Sequence, residues 1–552
     1  MNQHREFTAA APAPTQHVAA VPGSSPQTLT RPRAGWAGLE QSVLRRPPGM
    51  LRPALAPALI VMAVAVIACV LRLWNLNALG FNSDEAVYAG QAGAIAGDPA
   101  LRSLFPVFRA HPLLFQMATS LIYRVGVSDL APRLLAVAFG LGTVVFGYAA
   151  GARFYGRRAG TVTALLLAAM PYLVVVNRQA LLDGPMVFFS VIALWLLARF
   201  TAEGQRRVLY AAGAALGLAF ISKETSVVLL PAAYAFLALT PSVRVRLKDL
   251  LAFFGAFAAV ALPYPVSLAV AGGSTSGKHF LTWQLFRPAN HVWTFYPTVV
   301  PAAIGLPVMA CAAGTVVLAV AAHRWSWRES LLLCWTLVPY FFFQLWPVKG
   351  YQYLLPVAAP VAILAAGLLT DGRLARQLGR GLDRAGTVLQ VTAIAVVTAW
   401  LAVTSWGSIA TADSTSLLAG TGGIPGGRQA GQWIQAHTPA GAEMLSIGPS
   451  MANILEFYGH RRVLGLSVSP NPLHRNPAYI PITNPDLLLR SGQVQYLVWD
   501  AYSAARSASF ARRLMAYTRR YGGTVVHTQS VTVTTPAGPV QRPVIIIYEV
   551  RP

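Results

Sequence analysis

Charged residues are scarce in this sequence, and cysteine is nearly absent. Only 11% of the 552 residues are charged, whereas 55% are hydrophobic. So few charges cannot cover the surface of a water-soluble chain of this length, which excludes an ordinary soluble protein. The three cysteines all lie in apolar segments and give no basis for a disulfide framework or a zinc site. The composition therefore predicts a polytopic α-helical membrane protein.

Acidic residues are scarcer than basic ones. The chain has 19 aspartates and glutamates against 43 lysines and arginines, which gives a net charge of +24. An excess of this size can mark a nucleic-acid-binding protein, but here the basic residues do not form one stripe with interleaved aromatics. They lie in small clusters between apolar segments, as the positive-inside rule predicts for cytoplasmic loops. We therefore predict the lipid bilayer as the partner of this chain, and no nucleic acid.

About eleven apolar runs have spanning length or nearly so. They cover about residues 54–74, 131–151, 159–177, 185–200, 208–222, 224–240, 249–270, 297–321, 330–346, 352–370 and 386–407. Every strongly basic short loop falls on one side of the membrane if residues 111–125 form an interfacial helix and do not span. The multi-pass topology then has a cytoplasmic N-terminus and an extracytoplasmic segment beyond 408.

The composition divides the chain into four parts. Residues 1–50 lack hydrophobic periodicity and predict a disordered cytoplasmic tail, and residues 51–408 form the transmembrane domain. A glycine-rich linker at 409–426 precedes a small extracytoplasmic α/β domain at 427–552. Its predicted strands are "EMLSIG", "VQYLVWD", "TVVHTQSVTV" and "VIIIYEV", and its predicted helices are "GRQAGQWIQAHTP" and "SASFARRLMAYTRRY".

The predicted topology gathers acids and bases on the outer face. Asp84 and Glu85 are adjacent in "GFNSDEAVYAGQAG", directly after the first span, where a charge is costly unless it binds or reacts. Such a surface suits a reaction that removes a proton and stabilises a leaving anion, as transfer of a sugar from a lipid phosphate requires. The other candidates on this face are His111, Arg178, Asp183, Lys223, Arg287, His291, Lys349 and Tyr353.

A series of motifs carries a family resemblance. In order they are "LRLWNLNALGFNSDEAVYAGQAGAI", "HPLLF", "VNRQALLDGPMVFF", "GLAFISKETS" and "VKGYQYLLPVAAP". Over about residues 54–370 the chain resembles the polyprenyl-phosphate-dependent glycosyltransferases of the GT-C fold, in the branch of protein O-mannosyltransferases and aminoarabinose transferases. The resemblance implies a bacterial plasma-membrane enzyme of the GT-C fold that moves a sugar from polyprenyl phosphate to an acceptor hydroxyl, with inversion. The acceptor, whether glycan, lipid or protein, is left open.

The resemblance also implies roles for the outer residues. Asp84 corresponds to the catalytic acid of the first external loop, Glu85 is its companion, and Asp183 occupies the second external acidic position. Lys223 and Lys349 fall where the family places basic residues suited to a lipid phosphate. Arg287 lies in a loop that often supplies another, and Arg178 and Tyr353 are further phosphate-binding candidates. His111 and His291 are possible site residues with no assigned role.

One motif departs from the family pattern, at "RAHP" in residues 109–112. The aminoarabinose transferases have an acid and a lysine before this proline, and the acid takes part in metal binding. Ala110 and His111 stand at these two positions here. The sequence therefore assigns no metal site and leaves dependence on a divalent metal open.

Simpler interpretations of these residues stay open at this point. Asp84 and Asp183 could be helix caps, and Lys223 could be an interfacial anchor or a partner of Glu224. Arg287 could belong to an aromatic belt. Two other classes of protein also stay open. A membrane transporter would place ionisable residues near mid-membrane and show inverted repeats, and a non-catalytic cell-envelope assembly protein would need neither the acid pair nor the cations.

Overall fold

Apolar helices make up most of the chain, in a computed structural model that describes residues 52–107, 111–270, 283, 286–372, 383–410, 423–476, 479–535 and 538–551. The predicted tail at 1–50, most of the predicted linker and Ala110 lie outside these residues. The helices up to the middle of the chain are α1 (Arg52–Leu73), α2 (Ser83–Ala96), α3 (Pro99–Leu104), α4 (Leu114–Tyr123), α5 (Leu130–Tyr155), α6 (Arg157–Ala169), α7 (Pro171–Asn177), α8 (Asp183–Glu203), α9 (Arg206–Ser222), α10 (Leu229–Leu239), α11 (Leu247–Ala261) and α12 (Pro263–Val270).

The second half of the described chain continues with helices and ends in a sheet. Its long helices are α13 (Phe295–Ile304), α14 (Leu306–Ala321), α15 (Trp327–Leu345), α16 (Ala358–Leu369) and α17 (Asp383–Ile409). Short 3₁₀ helices at Glu224–Val228 and Tyr351–Val357 lead into α10 and α16. The elements that follow are α18 (Gly427–His437), β1 (Glu443–Ser446), α19 (Pro449–Gly459), β2 (Arg462–Gly465), α20 (Pro485–Arg490), β3 (Val494–Asp500), α21 (Ala501–Arg506), α22 (Ala508–Arg520), β4 (Thr524–Thr535) and β5 (Gly538–Glu549).

Two of the predicted spans are bent helix pairs. The axes of α6 and α7 differ by 56°, and those of α13 and α14 differ by 96°. Pro171 begins α7, where its missing amide hydrogen costs no intrahelical bond. Gly305 joins α13 to α14 with a φ of 102°, a left-handed conformation that favours glycine. Local residues therefore explain both breaks.

Several helices are candidates for membrane spans. In the described residues, five helices are long and apolar enough to cross a membrane, or up to seven if each bent pair counts as one span. Helices or bent pairs occupy all eleven of the predicted apolar runs, but several are shorter than a full span. The count of eleven spans therefore stays a prediction. The segment expected to lie at the interface contains the ten-residue helix α4.

A five-stranded mixed sheet in the order β2-β1-β3-β5-β4 forms the C-terminal part. Strand β1 is parallel to β2 and β3, and α19 makes the crossover from β1 to β2. Strand β5 is antiparallel to both β3 and β4. The four predicted strands match β1, β3, β4 and β5, and the two predicted helices match α18 and α22. The sequence analysis missed β2, which has only four residues.

The C-terminal part holds the loop that leads into α2. Arg428 lies 2.6 Å from Asp129 and donates to the carbonyl of Leu79 at 2.9 Å. The hydroxyl of Tyr458 accepts from the amide of Phe81 at 2.8 Å and donates to Asp129 at 2.9 Å. These contacts lie within one unit of the chain, Ala58–Pro552. They fix the backbone immediately before the acid pair.

Candidate active site

A reciprocal cap fixes the first turn of α2. The side chain of Asn82 accepts from the amide of Glu85 at 2.9 Å, and Glu85 accepts from the amide of Asn82 at 3.0 Å. This capping box satisfies two amides that have no partner within the helix. The interpretation of Asp84 as the cap was therefore wrong, because Asn82 takes that position.

Glu85 is fully buried in an ion pair with Arg133 of α5. Arg133 donates to the two carboxylate oxygens at 2.8 and 2.9 Å, and both side chains are 0% exposed. The amide of Ala180 adds a fourth hydrogen bond to Glu85, at 2.9 Å. Arg133 also donates to the carbonyls of Leu79 and Gly80 at 2.7 and 3.0 Å. The carboxylate of Glu85 thus joins three segments of the chain and does not face solvent.

Asp84 points the other way and is exposed. Within the part of the chain that the structure describes, its carboxylate forms no hydrogen bond or ion pair. Its charge nevertheless acts on the ionisation of Tyr88, His111 and Asp183, so these groups lie in its neighbourhood. An exposed carboxylate without a partner, beside other ionisable groups, can accept a proton from a bound hydroxyl.

Asp183 and Lys223 form a second buried pair. The ammonium group of Lys223 donates to both carboxylate oxygens of Asp183 at 2.8 Å, and the two residues are only 1% and 5% exposed. The same ammonium lies 5.5 Å from the ring centroid of Tyr353. Two interpretations from the sequence were therefore wrong. Asp183 binds Lys223 and makes no side-chain cap on α8, and the ion-pair partner of Lys223 is Asp183, not Glu224.

His111 pairs with Glu224, a residue that the sequence analysis did not select. The Nδ1 atom of His111 lies 3.0 Å from both carboxylate oxygens of Glu224, and the ring of Tyr88 contacts the imidazole edge-on at 5.9 Å. Burial lowers the pKa of His111, but the charge and hydrogen bond of Glu224 outweigh it, so this pKa is raised above the ordinary 6.5.

The raised pKa of His111 makes the stability of this pair depend on pH. A histidine with a raised folded pKa contributes stability that is fully present below its unfolded pKa and is lost as pH rises through the folded value. We expect His111→Gln to lower the melting temperature most at acidic pH. Its difference from the wild type should shrink as pH rises from the ordinary 6.5 through the raised value. Thermal melts in lipid nanodiscs across this range measure it.

Glu224→Gln is the matched variant, since it removes the same charge pair from the other side. It should reproduce the pH dependence of His111→Gln. A melting difference that stays constant with pH in both variants contradicts the proposed pair.

The structure separates the predicted cations into two groups. Arg287 is half-buried and its guanidinium carbon lies 4.7 Å from the ring centroid of Trp283, and its charge acts on Tyr353. In the described part of the chain its guanidinium donates no hydrogen bond. Arg287 and Lys223 therefore both lie near Tyr353, Lys223 at 5.5 Å from its ring centroid.

Lys349 and Arg178 are occupied by backbone carbonyls. Lys349 donates to the carbonyls of Gln344 and Trp346 at 2.8 and 3.0 Å, at the end of α15. Arg178 donates to Leu71 at 3.2 Å and Arg72 at 3.0 Å, at the end of α1. Carbonyls at helix ends lack intrahelical partners, so these cations complete the helices.

His291 packs against an aromatic residue. Its ring stacks on Phe295 at 4.1 Å, next to Lys349 and to Arg506 of the C-terminal part, whose charges act on it. Burial is the main cause that lowers the pKa of His291 below its ordinary value. This favours a neutral imidazole.

Three residues that complete the site were missed. Arg133 had a signal, because a lone arginine at the start of an apolar run needs a buried partner. Glu224 was noticed only as a neighbour of Lys223. Tyr88 had no signal beyond its position one turn after Asp84, because an aromatic residue there is ordinary helix packing.

The described residues do not fit a divalent metal ion. They contain no group of three or more His, Cys, Asp and Glu side chains placed to hold one. Asp183 and Glu224 already bind Lys223 and His111, which leaves Asp84 as the open carboxylate of this cluster.

The architecture is that of the GT-C membrane glycosyltransferases. The chain aligns with ArnT from Cupriavidus metallidurans bound to undecaprenyl phosphate with a TM-score of 0.63 and 16% identity, over 89% of this chain and 97% of that one. It aligns with the Archaeoglobus fulgidus oligosaccharyltransferase with a TM-score of 0.54 and 14% identity, over 88% and 73%. At these identities the likeness shows the fold alone, and it confirms the fold predicted from the resemblance.

Parts of the sequence are similar to transferases. The family model of dolichyl-phosphate-mannose-protein mannosyltransferases matches residues 110–268, less than a third of the chain. Among curated proteins, the undecaprenyl phosphate-alpha-4-amino-4-deoxy-L-arabinose arabinosyl transferase of Pectobacterium carotovorum is 30% identical, over 37% of this chain and 40% of that protein. The transferase of the same name from Serratia proteamaculans is 28% identical over 39% and 40%. The chain thus spans about two fifths of the length of these relatives.

Proposed function

We propose that the protein is a glycosyltransferase that moves a sugar from a polyprenyl-phosphate donor to an acceptor hydroxyl at the extracytoplasmic face of a bacterial plasma membrane. One observation carries the proposal. In the described part of the chain, Asp84 is exposed and without a partner, whereas the neighbouring acids are each matched by a base. The GT-C fold and the similarity to transferases that use polyprenyl phosphate support it.

The proposed reaction uses the exposed carboxylate of Asp84 as a general base. Its carboxylate takes the proton of the acceptor hydroxyl while that oxygen bonds to the anomeric carbon of the sugar. The bond from this carbon to the phosphate oxygen breaks, and the lipid phosphate leaves with the electron pair. Attack opposite the leaving group inverts the anomeric centre. Paired carboxylates are poorer bases here, because their oxygens already accept hydrogen bonds.

The other acids act through their partners in this proposal. Glu85 is a positioning residue, since its bonds to Arg133 and Ala180 set the direction of the turn that carries Asp84. Asp183 fixes Lys223 beside Tyr353 and keeps its charge at the site. Neither acid touches the reacting atoms.

The leaving phosphate needs a cation whose donors are available. Arg287 meets this need best, because a guanidinium can bind two phosphate oxygens at once and this one is held only by ring stacking in the described residues. Lys223 adds positive charge to the same site. Lys349 and Arg178 act as helix-end ligands in this proposal, not as phosphate ligands.

The topology is part of the proposal. Eleven spans place the tail at 1–50 in the cytoplasm and the α/β domain at 427–552 outside, next to the acid pair. The contacts of Arg428 and Tyr458 with the loop before α2 support this arrangement, since a domain that holds the Asp84 loop must lie on the same side of the membrane.

Arg287→Ala provides the direct test of donor binding. Purified protein in nanodiscs should release polyprenyl phosphate from a lipid-phosphate sugar and transfer the sugar. A hydrogen bond to a charged group contributes about 1.5–3 kcal/mol, so we expect the variant to raise the KM for the donor about tenfold or more. Arg287→Lys should recover part of this loss.

Arg324→Ala is the control, because Arg324 is an exposed arginine after α14 on the predicted cytoplasmic side. It should leave the KM for the donor unchanged. Movement of the lipid sugar across the bilayer without cleavage would identify a transporter and overturn the proposed function. An unchanged KM in Arg287→Ala would remove only the phosphate assignment.

A further inference from the structure

A cavity lies between α3 and the C-terminal part. It has a volume of ≈ 420 Å³, within the range of small-molecule sites. Residues of α3 and the turn after it form one wall, and α19, β2 and the residues around Tyr479 form the other. The cavity is separate from the cations near Arg287, because its lining includes none of them.

The cavity adjoins the turn that carries Asp84. Asn453, a buried lining residue, donates to the hydroxyl of Ser83 at 3.0 Å and to that of Tyr479 at 3.2 Å. Ser83 directly precedes Asp84 in the first turn of α2. The first turn of α2, which carries Asp84, therefore lies next to a residue of the cavity wall.

The charges of the lining disfavour an anionic ligand. Glu443 and Glu456 both contribute to it, and its arginine, Arg462, lies 3.8 Å from Glu443. Among the described residues of the lining, the basic side chains are Arg462 and His460. A phosphorylated headgroup would place its negative charge beside two carboxylates, which opposes binding.

The lining combines carbonyl, carboxylate and hydroxyl groups with apolar surface. Leu104, Pro106 and the exposed Ile480 supply apolar contacts, and Tyr479 adds a ring with a hydroxyl. A few polar groups among apolar walls are typical of sites that orient a small ligand. Sugars have this dual character, since their rings present C–H faces and their edges present hydroxyls.

A peptide fits the cavity less well. Peptides commonly bind by adding a strand to a sheet edge, and β2 is an edge strand of this sheet. However, the amide of Val463 in β2 already donates to Glu456 at 3.2 Å. Strand addition that used this amide would have to break that bond and leave a buried carboxylate oxygen without it.

We propose that this cavity is the acceptor site and that it takes a neutral, hydroxyl-rich saccharide. The inference rests on the proposed transferase function and adds the chemical class of the acceptor. The acceptor hydroxyl then approaches Asp84 from the side of the C-terminal part, while the donor phosphate lies near Arg287.

Ser103→Trp tests the site, because Ser103 is an exposed lining residue of α3 and a bulky ring there fills the cavity. Arg102→Trp is the matched control on the same helix, at an exposed position that does not line the cavity. The probes are short neutral manno-, gluco-, galacto- and arabino-oligosaccharides. Their binding to the full-length protein in nanodiscs is measured by saturation-transfer NMR. We expect one or more to bind the wild type and Arg102→Trp, and to lose binding in Ser103→Trp.

Other outcomes overturn the assignment. The first is that no saccharide binds the wild type, and the second is that Ser103→Trp binds saccharide as well as the wild type does. The third is that the wild type binds a serine- and threonine-containing peptide instead of a saccharide, and Ser103→Trp abolishes that binding. Retained binding of polyprenyl phosphate by Ser103→Trp shows that this variant is folded. Binding of saccharide is measured without transfer, so a failure of the proposed function, seen as movement of the lipid sugar across the bilayer without cleavage, is distinguishable from a failure of this site.

Discussion

Asp84→Asn should leave the protein folded and inserted but lower sugar transfer by about 100- to 10,000-fold, the usual contribution of a general base. The amide has nearly the shape of the carboxylate but cannot take a proton. Asp84 is exposed and has no partner in the described part of the chain, so the substitution breaks no contact there. Transfer from a labelled lipid-phosphate sugar, measured in nanodiscs at saturating donor, gives the effect on kcat.

Asp486→Asn is the matched control for this loss. Asp486 is a carboxylate of the C-terminal part that binds Arg490 and Arg520, away from the acid pair. The Asp486→Asn variant should transfer sugar at the wild-type rate. Undiminished transfer by Asp84→Asn would remove the mechanism, and unchanged donor affinity in that variant would show that the loss lies in the chemical step.

Much of the fold could be predicted because it follows from local patterns. Apolar runs of spanning length predict helices, since a backbone in lipid must satisfy its own hydrogen bonds. The alternation in "VQYLVWD" likewise predicted β3, whose side chains are mostly buried. The sharp break at Gly305 was not predicted, because hydropathy alone reads residues 297–321 as one run. Strand β2 was missed, although its parallel partner β1, which also has four residues, was predicted.

The sequence indicated which residues lie together better than it indicated which of them form ion pairs. Position beside a span and motif order selected Asp84, Asp183 and Lys223, and the structure brings them together. Pairing depends on contacts between distant segments. Lys223 has extended backbone angles of −154° and 125° and Glu224 begins a 3₁₀ helix. These neighbours therefore turn to partners 40 and 113 residues away.

The acid pair consists of one exposed and one buried carboxylate, Asp84 and Glu85. Adjacent carboxylates in sequence have opposite environments, because successive positions on a helix point about 100° apart. Glu85 turns inward to Arg133, while Asp84 is exposed and its neighbour Ser83 accepts a hydrogen bond from Asn453. One acid thus fixes the geometry and the other is left available for chemistry. The same turn therefore depends on two parts of the chain, α5 and the C-terminal part.

Arg133→Met is expected to have the largest effect on stability. Removal of one partner from a buried ion pair costs about 3–5 kcal/mol, because the other charge stays buried without compensation. Here the loss also strips donors from the carbonyls of Leu79 and Gly80 in the loop before α2. We expect a marked fall in melting temperature in nanodiscs and poor accumulation in the membrane.

Glu203→Gln is the matched control, since Glu203 accepts from Arg153 and Arg199 in a solvent-exposed pair. Exposed ion pairs contribute little because water and salt screen them, so its melting temperature should hardly change. Glu85→Gln gives an intermediate case, because the amide can still accept from Ala180 but loses the charge that faces Arg133. Equal melting of Arg133→Met and Glu203→Gln would show that the buried pair does not hold the Asp84 turn, and the positioning role of Glu85 would be withdrawn.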